Sequence, residues 1–417
     1  MNVWARLGIF PLFCYLCVIT IINGTMKRFF FAIAVLAVAV SCSPKLYNTR
    51  SFDDAHFAAL QEVIDNPSTP KDVAYSYTEA ADLGLLGKVS NLTANPYHRF
   101  DTTAYKGMTK GERNQAVSPA GISVAFSTNS NSISIKAEWG DYVSSPARNT
   151  MALSYRGFDL YIKGKDGKWL WAGTTGTASG KPEFEGVLVK NLPEGVKECL
   201  LYLPIYTEVK SCKIGVTVGS YIKKLDGQFR HKILFHGSSF THGISTSRAG
   251  MSYPMQFMRA NGFEVLGFGM SGNCKMQPYF ADVVADTEAD AYVFDAFSNP
   301  GYKMIRERLQ PFIDKIIAAH PGKPLIFQQT IYREKRNFDA VENAKEQAKQ
   351  DMASTLFNDL LKDPKYKDVY FIQTSADDSG RHEYSVDGTH PDDHGYYMWY
   401  KSIEKPILKI LAKYGIK

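Results

Sequence analysis

Hydroxyl, imidazole and carboxylate side chains that could together carry out acyl transfer follow apolar segments in the second half of the chain. The sequence KILFHGSSFTHG at 232–243 runs from an apolar stretch into two serines, Ser238 and Ser239. A serine hydroxyl becomes a good nucleophile when a histidine accepts its proton and an acidic residue fixes the tautomer of that histidine. Asp387 and His390, three residues apart in a glycine-containing loop, could supply both groups.

Donors for the oxyanion of a tetrahedral intermediate are available at the ends of the following apolar segments. The sequence GMSGNC at 269–274 contains Gly272 in a tight turn, and the sequence SNP at 298–300 contains Asn299. An oxyanion requires preorganised hydrogen-bond donors. The backbone amides of Ser239 and Gly272 and the side-chain amide of Asn299 are therefore predicted to form the oxyanion hole.

Each of these short sequences also has an ordinary structural interpretation. Gly-Ser-Ser is a common turn, Ser-Gly-Asn can connect a strand to a helix, and Asn299 before a proline is a typical turn residue. The Asp387-Gly388 pair is a hairpin signal. In an open α/β sheet, however, ligands bind beyond the carboxyl ends of the strands, and these sequences follow four of five predicted strands. Their combination favours a catalytic site.

The general base is predicted to be His390 because it has a carboxylate three residues upstream in a loop that would return to the edge of the first strand. His236 and His242 lie close to Ser239 in sequence, but they cannot be assumed to reach its hydroxyl, since a strand points neighbouring side chains to opposite faces. The other two alternatives, His382 and His394, could equally lie on the surface.

The elements that would position these residues alternate between strand and helix after residue 228. Amphipathic helical segments are predicted at 303–319, 340–362 and 393–414. Alternating strands and crossover helices build a parallel sheet that is covered on both faces, and the predicted fold class of 229–417 is therefore α/β. The strands are predicted at 232–236, 263–268, 291–297, 324–330 and 368–374.

The first half of the mature chain has a different periodicity. Seven short alternating segments between residues 120 and 219 are separated by turn residues, and no long helical pattern lies between them. Such spacing predicts an antiparallel β-sandwich domain at 76–228. Trp139, Trp169 and Trp171 lie in these strands, where they could either pack in the core or present apolar rings to a sugar.

The N-terminal segment is predicted to be a leader that extends over 1–42. Residues 26–42 combine a basic start, a short apolar run and the sequence AVSC, which resembles a bacterial lipobox with Cys42 as the lipidated residue. Residues 1–25 then come from an over-extended start site, or form a genuine anchor. Residues 43–75 are predicted to be a tether or linker, and the protein to be exported to the bacterial cell envelope as a lipoprotein, or to the periplasm or medium.

Taken together, these residues resemble the four blocks of the SGNH (GDSL-type) hydrolase family. The first block Gly-x-Ser-x-Thr-x-Gly is matched at 237–243, and the later blocks fall on Gly272, Asn299, Asp387 and His390. The resemblance implies a three-layer α/β/α, flavodoxin-like catalytic domain with Ser239 as its nucleophile. Two positions depart from the usual pattern, since Ser238 replaces an aspartate and the third block reads Phe-Ser-Asn-Pro.

The predicted function is that of a serine esterase that removes small acyl groups, above all acetyl, from carbohydrate. A lipid-directed esterase or acylhydrolase and a non-catalytic glycan-binding envelope protein are the alternatives. The formal net charge of +6 is too small and scattered to suggest a nucleic-acid partner. No phosphate-loop or metal motif is present, so no cofactor is expected. The expected partner is an acylated carbohydrate or other small ester, with membrane contact only through a lipid anchor.

Overall fold

The computed structural model describes residues 50–143, 149–376 and 380–417. The predicted leader, including Cys42, lies outside these residues. The described residues up to Asn66 belong to one compact unit, and the described residues from Pro67 onward belong to another. In the first unit, within the predicted tether, residues Asp54–Asp65 form helix α1, which has no buried residue. No helix of the described ranges is long and apolar enough to cross a membrane.

Two antiparallel sheets form the first half of the larger unit, as predicted. Sheet A has the strand order β1-β9-β4-β7, and sheet B has the order β10-β3-β8-β5-β6 with β2 paired to β3. The strands are β1 (Tyr75–Glu79), β2 (Leu85–Leu86), β3 (Ser123–Thr128), β4 (Ile133–Val143), β5 (Gly157–Lys163), β6 (Trp169–Gly176), β7 (Glu183–Val189), β8 (Lys197–Tyr202), β9 (Thr207–Thr217) and β10 (Ile222–Lys224).

The sandwich core arises from the period-two alternation of these strands. Ile133 and Ile135 of β4 belong to the same buried cluster as Val124 and Phe126 of β3, so the inner faces of sheets A and B share one core. Cys199 and Cys212 are buried there as free thiols. The sequence prediction missed β1, β2 and β10, because β2 and β10 are very short and β1, which reads YSYTE, has no aliphatic residue and no buried side chain.

The second half contains a parallel five-stranded sheet with the order β12-β11-β13-β14-β15. This is the flavodoxin-like order 2-1-3-4-5, in agreement with the predicted fold class. Its strands are β11 (Lys232–Gly237), β12 (Glu264–Gly269), β13 (Ala291–Asp295), β14 (Leu325–Gln328) and β15 (Val369–Ile372).

Helices cover both faces of the parallel sheet, because neighbouring residues of a strand point to opposite faces. Phe235 of β11 joins the buried cluster that includes α5 and α9, whereas Leu234 joins the cluster that includes α6, α7 and α8. Burying one such side chain contributes roughly 1.5–3 kcal/mol. The helices are α2 (Lys110–Ala116), α3 (Ala152–Tyr155), α4 (Ser239–His242), α5 (Tyr253–Asn261), α6 (Pro278–Ala285), α7 (Tyr302–Ala319), α8 (Ala340–Leu360) and α9 (Asp393–Lys413).

The sandwich and the parallel sheet share buried contacts. Tyr161 and Tyr202 of sheet B belong to the same core cluster as residues of α5, and the guanidinium of Arg259 lies 4.0 Å from the ring centre of Tyr161. The fully buried Arg99 donates to the carbonyl oxygens of Gly269, at 2.7 Å, and Gln115, at 2.6 Å. The predicted boundary between the sandwich domain and the α/β domain, at 228/229, thus falls inside one compact unit. The division into two domains stays a prediction.

Candidate active site

The turn that carries Ser239 is built from the residues of its own block. Strand β11 ends at Gly237, Ser238 caps the helix, and α4 begins at Ser239. A Cβ at Gly237 would come within 2.0 Å of the Thr241 hydroxyl, and Gly243 ends the helix with φ +100°. The spacing Gly-x-Ser-x-Thr-x-Gly therefore has a steric cause, since the turn folds back on itself. Ser239 is left 6% exposed.

A buried carboxylate, Asp295 at the end of β13, lies beside this turn. Its Oδ2 atom accepts hydrogen bonds from the Ser238 amide at 3.0 Å, the Ser238 hydroxyl at 2.5 Å and the Thr241 hydroxyl at 3.3 Å. The Ser298 hydroxyl donates to Oδ1 at 2.5 Å. Burial raises the pKa of Asp295, and these hydrogen bonds oppose that rise. Ser238, which replaces the aspartate of the family pattern, thus hydrogen bonds to Asp295.

The structure places His390 and Asp387 next to Ser239. The Nε2 atom of His390 lies 3.0 Å from the Ser239 hydroxyl oxygen, and its Nδ1 atom lies 2.8 Å from Oδ2 of Asp387. The other carboxylate oxygen accepts the backbone amides of Thr389 at 2.9 Å and of His390 at 2.8 Å. The Val386 amide donates to the His390 carbonyl at 2.9 Å and closes the loop.

The electrostatic surroundings favour a neutral His390 imidazole next to an ionised Asp387 carboxylate. Burial by itself would raise the pKa of Asp387, but hydrogen bonds from His390 and Thr389 outweigh it and hold that pKa well below its usual value. Burial lowers the pKa of His390, Asp387 raises it, and Arg333 and Lys335 lower it further. The net result is a lowered pKa, so Nε2 is available as a proton acceptor at neutral pH.

Three of the four alternative histidines have other partners. His236 is fully buried, its Nδ1 lies 2.9 Å from the Phe268 carbonyl oxygen, and burial lowers its pKa to about 4. The Nε2 atom of His242 lies 2.6 Å from the Ile205 carbonyl oxygen, and His382 lies against Glu334. None of these contacts is to Ser239. Within the described ranges, no group of three or more histidine, cysteine or acidic residues could hold a metal ion.

The predicted oxyanion donors lie at the ends of three adjacent strands. Gly272 follows β12 in a turn with φ +70°. The side-chain oxygen of Asn299 accepts the Cys274 amide at 3.1 Å, which leaves its NH₂ group for another partner. Among the described residues, the amides of Ser239 and Gly272 donate no backbone–backbone hydrogen bond in the turns and loops. Convergence of the three donors on one oxygen stays a prediction.

Three residues near the site, Asn149, Arg333 and Asp295, were missed by sequence reasoning. The side-chain amide of Asn149, which follows β4 of the sandwich, donates to Oδ2 of Asp387 at 2.7 Å. Arg333, after β14, donates to the Ser298 carbonyl at 2.6 Å and so supports the backbone before Asn299. Neither Asn149 nor Arg333 lies in a recognisable motif. Asp295 could have been found, because it is the one charged residue in the apolar sequence AYVFDAF.

The three tryptophans of the sandwich have different surroundings. Trp139 is buried and stacks with Phe158 at a ring-centre distance of 6.0 Å, and Trp169 stacks with Phe229 at 6.4 Å. Trp171 is 56% exposed and donates from its indole nitrogen to the Thr174 hydroxyl. Core packing therefore accounts for Trp139, whereas Trp171 presents much of its ring to solvent.

Comparison with known proteins gives matches over both halves of the chain. The GDSL-like lipase/acylhydrolase family matches residues 230–409, and the N-terminal region of SGNH-hydrolase-type esterases matches residues 75–222. No curated protein matches the sequence. A GDSL-like lipase from Bacteroides ovatus is 36% identical, with a TM-score of 0.76 over 81% of this chain and 98% of that one.

Two more distant structures share the fold. A salicylyl-acyltransferase from a tetracycline biosynthetic pathway is 18% identical, with a TM-score of 0.63 over 83% of this chain and 98% of that one. A family two carbohydrate esterase from Cellvibrio japonicus is 11% identical, with a TM-score of 0.53 over 81% and 98% of the two chains. With the Bacteroides ovatus structure and the two family matches, the conclusion is that this chain belongs to the GDSL-like lipase/acylhydrolase (SGNH hydrolase) family and is a carboxylic ester hydrolase in class.

Proposed function

We propose that the protein is a serine esterase in which Ser239, His390 and Asp387 act as nucleophile, general base and orienting acid. The observation that carries this proposal is the continuous hydrogen-bonded chain from the Ser239 hydroxyl through both ring nitrogens of His390 to the Asp387 carboxylate. A neutral imidazole with its Nδ1 hydrogen bonded to a carboxylate is the form that accepts a proton at Nε2.

The proposed reaction proceeds through an acyl-enzyme. The Ser239 oxygen attacks the ester carbonyl carbon while its proton passes to Nε2 of His390, and the negative charge on the carbonyl oxygen is stabilised by the amides of Ser239, Gly272 and Asn299. Collapse of the intermediate breaks the bond to the alcohol, which takes the proton from Nε2. Water then repeats the two steps and releases the acid.

We further propose that the substrate is a carbohydrate that carries small acyl groups, above all acetyl. The exposed ring of Trp171 supports a sugar partner, because a flat apolar face can stack on a pyranose ring. The leader predicted from the sequence supports it also, since an exported enzyme would meet polysaccharide. The fold shared with the carbohydrate esterase from Cellvibrio japonicus is compatible with this substrate but does not select it.

The test compares esters of increasing acyl length. We expect purified protein to hydrolyse 4-nitrophenyl acetate with a higher kcat/KM than the butyrate and octanoate, and to release acetate from acetylated oligosaccharides. A preference for octanoate would replace the proposal with a lipid-directed esterase. Absence of hydrolysis for all esters, together with binding of glycan, would indicate the non-catalytic alternative.

Export and lipidation at Cys42 also stay proposals. We expect the full-length chain, expressed in a bacterium that processes lipoproteins, to fractionate with membranes and to incorporate labelled fatty acid. The Cys42→Ala variant should lose the label. Equal labelling of both forms would contradict lipidation at this residue.

A further inference from the structure

Asn149 connects the sandwich half to the histidine and aspartate of the proposed triad. It lies in the segment between β4 and α3, and its side-chain NH₂ group donates to Oδ2 of Asp387 at 2.7 Å, although 238 residues separate the two in sequence. The catalytic and oxyanion residues predicted from the sequence all belong to the α/β half. Asn149 is therefore a contribution to the site from the other half of the chain.

The orientation of the Asn149 amide follows from its second partner. The Thr150 hydroxyl lies 3.3 Å from the side-chain oxygen of Asn149 and donates to it. The same hydroxyl accepts the backbone amide of Ser245 at 3.0 Å. The reverse amide orientation would direct an oxygen at the Asp387 carboxylate, which is unfavourable. The NH₂ group therefore faces Asp387.

The segment 149–155, which contains Asn149 and helix α3, is anchored to the loop after the nucleophile. The hydroxyls of Ser154 and Thr246 lie 2.6 Å apart, and the Ile205 amide donates to the Ser154 carbonyl at 3.1 Å. Nearby, the buried Asp159 of β5 pairs with Arg248 at 2.9 Å. These contacts hold the segment at a defined position beside the site.

The contact with Asn149 completes the hydrogen bonding of the Asp387 carboxylate. Oδ1 accepts two backbone amides, and Oδ2 accepts both Nδ1 of His390 and the side chain of Asn149. A carboxylate offers about four lone-pair sites, so all of them are used. Nδ2 of Asn149 lies 3.5 Å from Nδ1 of His390, and because both atoms carry hydrogen this is a contact between donors.

We propose that Asn149 is a positioning residue, through which the sandwich half holds Asp387 in the orientation that His390 requires. The inference rests on the proposed function, because it concerns the same serine, histidine and aspartate. It assigns the sandwich a part in catalysis that is separate from any binding of glycan. Asn149 acts through Asp387 and needs no contact with substrate.

The sign of the expected pH effect follows from the groups that face His390. Asp387 raises the pKa of His390, and Arg333 and Lys335 lower it. The Asn149 donor disperses part of the Asp387 charge. Its removal leaves that charge free to stabilise the imidazolium, so the pKa of His390 should rise, and replacement by a carboxylate should raise it further.

The experiment uses the full chain with 4-nitrophenyl acetate as substrate. We expect Asn149→Ala to lower kcat by about tenfold, a change that one hydrogen bond to a charged group can carry, with KM little changed. The acid limb of the pH profile should move to higher pH, and in Asn149→Asp it should move further. The exposed Asn91, replaced by alanine, is the matched control and should change neither quantity.

Two outcomes would overturn the inference without affecting the proposed function. One is an Asn149→Ala variant with wild-type kcat and pH profile, while Ser239→Ala is inactive. The other is a lowered thermal transition with both kinetic quantities unchanged per folded molecule, which would make Asn149 purely structural. NMR titration of His390 provides a measurement that needs no turnover: a pKa equal to that of the wild type in both Asn149 variants would also contradict the inference.

Discussion

The two sides of the candidate site are held in place in different ways. On the nucleophile side, Ser239 is 6% exposed and its neighbour Phe240 is 1% exposed, above a strand that is buried on both faces. On the base side, the side chain of Asp387 is 33% exposed and lies in a loop held by hydrogen bonds. Packing and the buried hydrogen bonds to Asp295 therefore fix the nucleophile turn, whereas hydrogen bonds in a more exposed loop fix the acid and base.

This difference indicates how each side should respond to substitution. The nucleophile turn should tolerate loss of a hydroxyl as long as its glycines and its packing remain. The base loop is more exposed to solvent, and one of its hydrogen-bond partners, Asn149, belongs to the sandwich half. Substitutions in the base loop should therefore change catalysis more than stability.

The largest effect is expected at the nucleophile. Ser239→Ala should lower kcat by about 10⁶, in line with other serine hydrolases, in esterase assays on folded protein. Ser238→Ala is the matched control on the same turn. It loses the helix cap and one donor to Asp295, so it should cost about 1 kcal/mol of stability and spare most of the activity. An inactive Ser238→Ala variant beside an active Ser239→Ala variant would refute the assignment.

The next effect is expected in the base loop. Asp387→Asn should leave a folded enzyme whose kcat is about 10⁴ lower, because an amide in place of the carboxylate favours the wrong tautomer of His390. Steady-state kinetics and thermal unfolding would separate the two effects. The exposed Asp359, replaced by asparagine, should have wild-type kinetics. A similar kcat in both variants would show that Asp387 does not orient the base.

A smaller loss is expected at the third block. Asn299→Ala should lower kcat by about 10² to 10³ with KM little changed, because an oxyanion donor stabilises the transition state more than the bound ester. The contact between Asn299 and the Cys274 amide would also be lost, and circular dichroism would check the fold. If KM alone rises, Asn299 binds substrate or supports the turn.

The buried carboxylate beside the nucleophile should affect stability. In Asp295→Asn, an NH₂ group replaces one carboxylate oxygen and faces hydroxyl and amide groups that donate to Asp295. At least one buried donor then has no acceptor. We expect a decrease in the free energy of unfolding of about 1–3 kcal/mol, measured by urea denaturation with Asp359→Asn as reference. Unchanged stability would show that the carboxylate does not hold the turn together.

The smallest expected effect is on the pH dependence of kcat/KM, which tests the surroundings of His390 on the base side. The pKa of His390 is lowered, chiefly by burial, and the imidazole must be neutral to accept a proton. The kcat/KM should therefore be constant near neutral pH and fall only as the pH drops through a value below ~6.5, the ordinary histidine pKa. An acid limb above that value would mean that Asp387 outweighs burial and the nearby cations.

The sequence-based predictions were accurate where a local pattern of residues determines the structure. The parallel strands were placed within a few residues, because each is a short apolar run bounded by turns and helices. The block at 237–243 could be interpreted from sequence because its glycines are required by the turn that it forms. Strand β1 (Tyr75–Glu79) was missed, since it has no aliphatic residue and no buried side chain to mark an inner face.

The sequence by itself determined the α/β and sandwich halves, the turn at Ser239 and the pairing of Asp387 with His390, because alternation, turn chemistry and a three-residue spacing act over short distances. Three hydrogen bonds were seen only in the tertiary structure. They join Ser238 to Asp295, Arg333 to the Ser298 carbonyl, and Asn149 to Asp387. These contacts join residues from 35 to 238 positions apart. Such contacts depend on how finished elements pack against one another, and no local pattern in the chain encodes that packing.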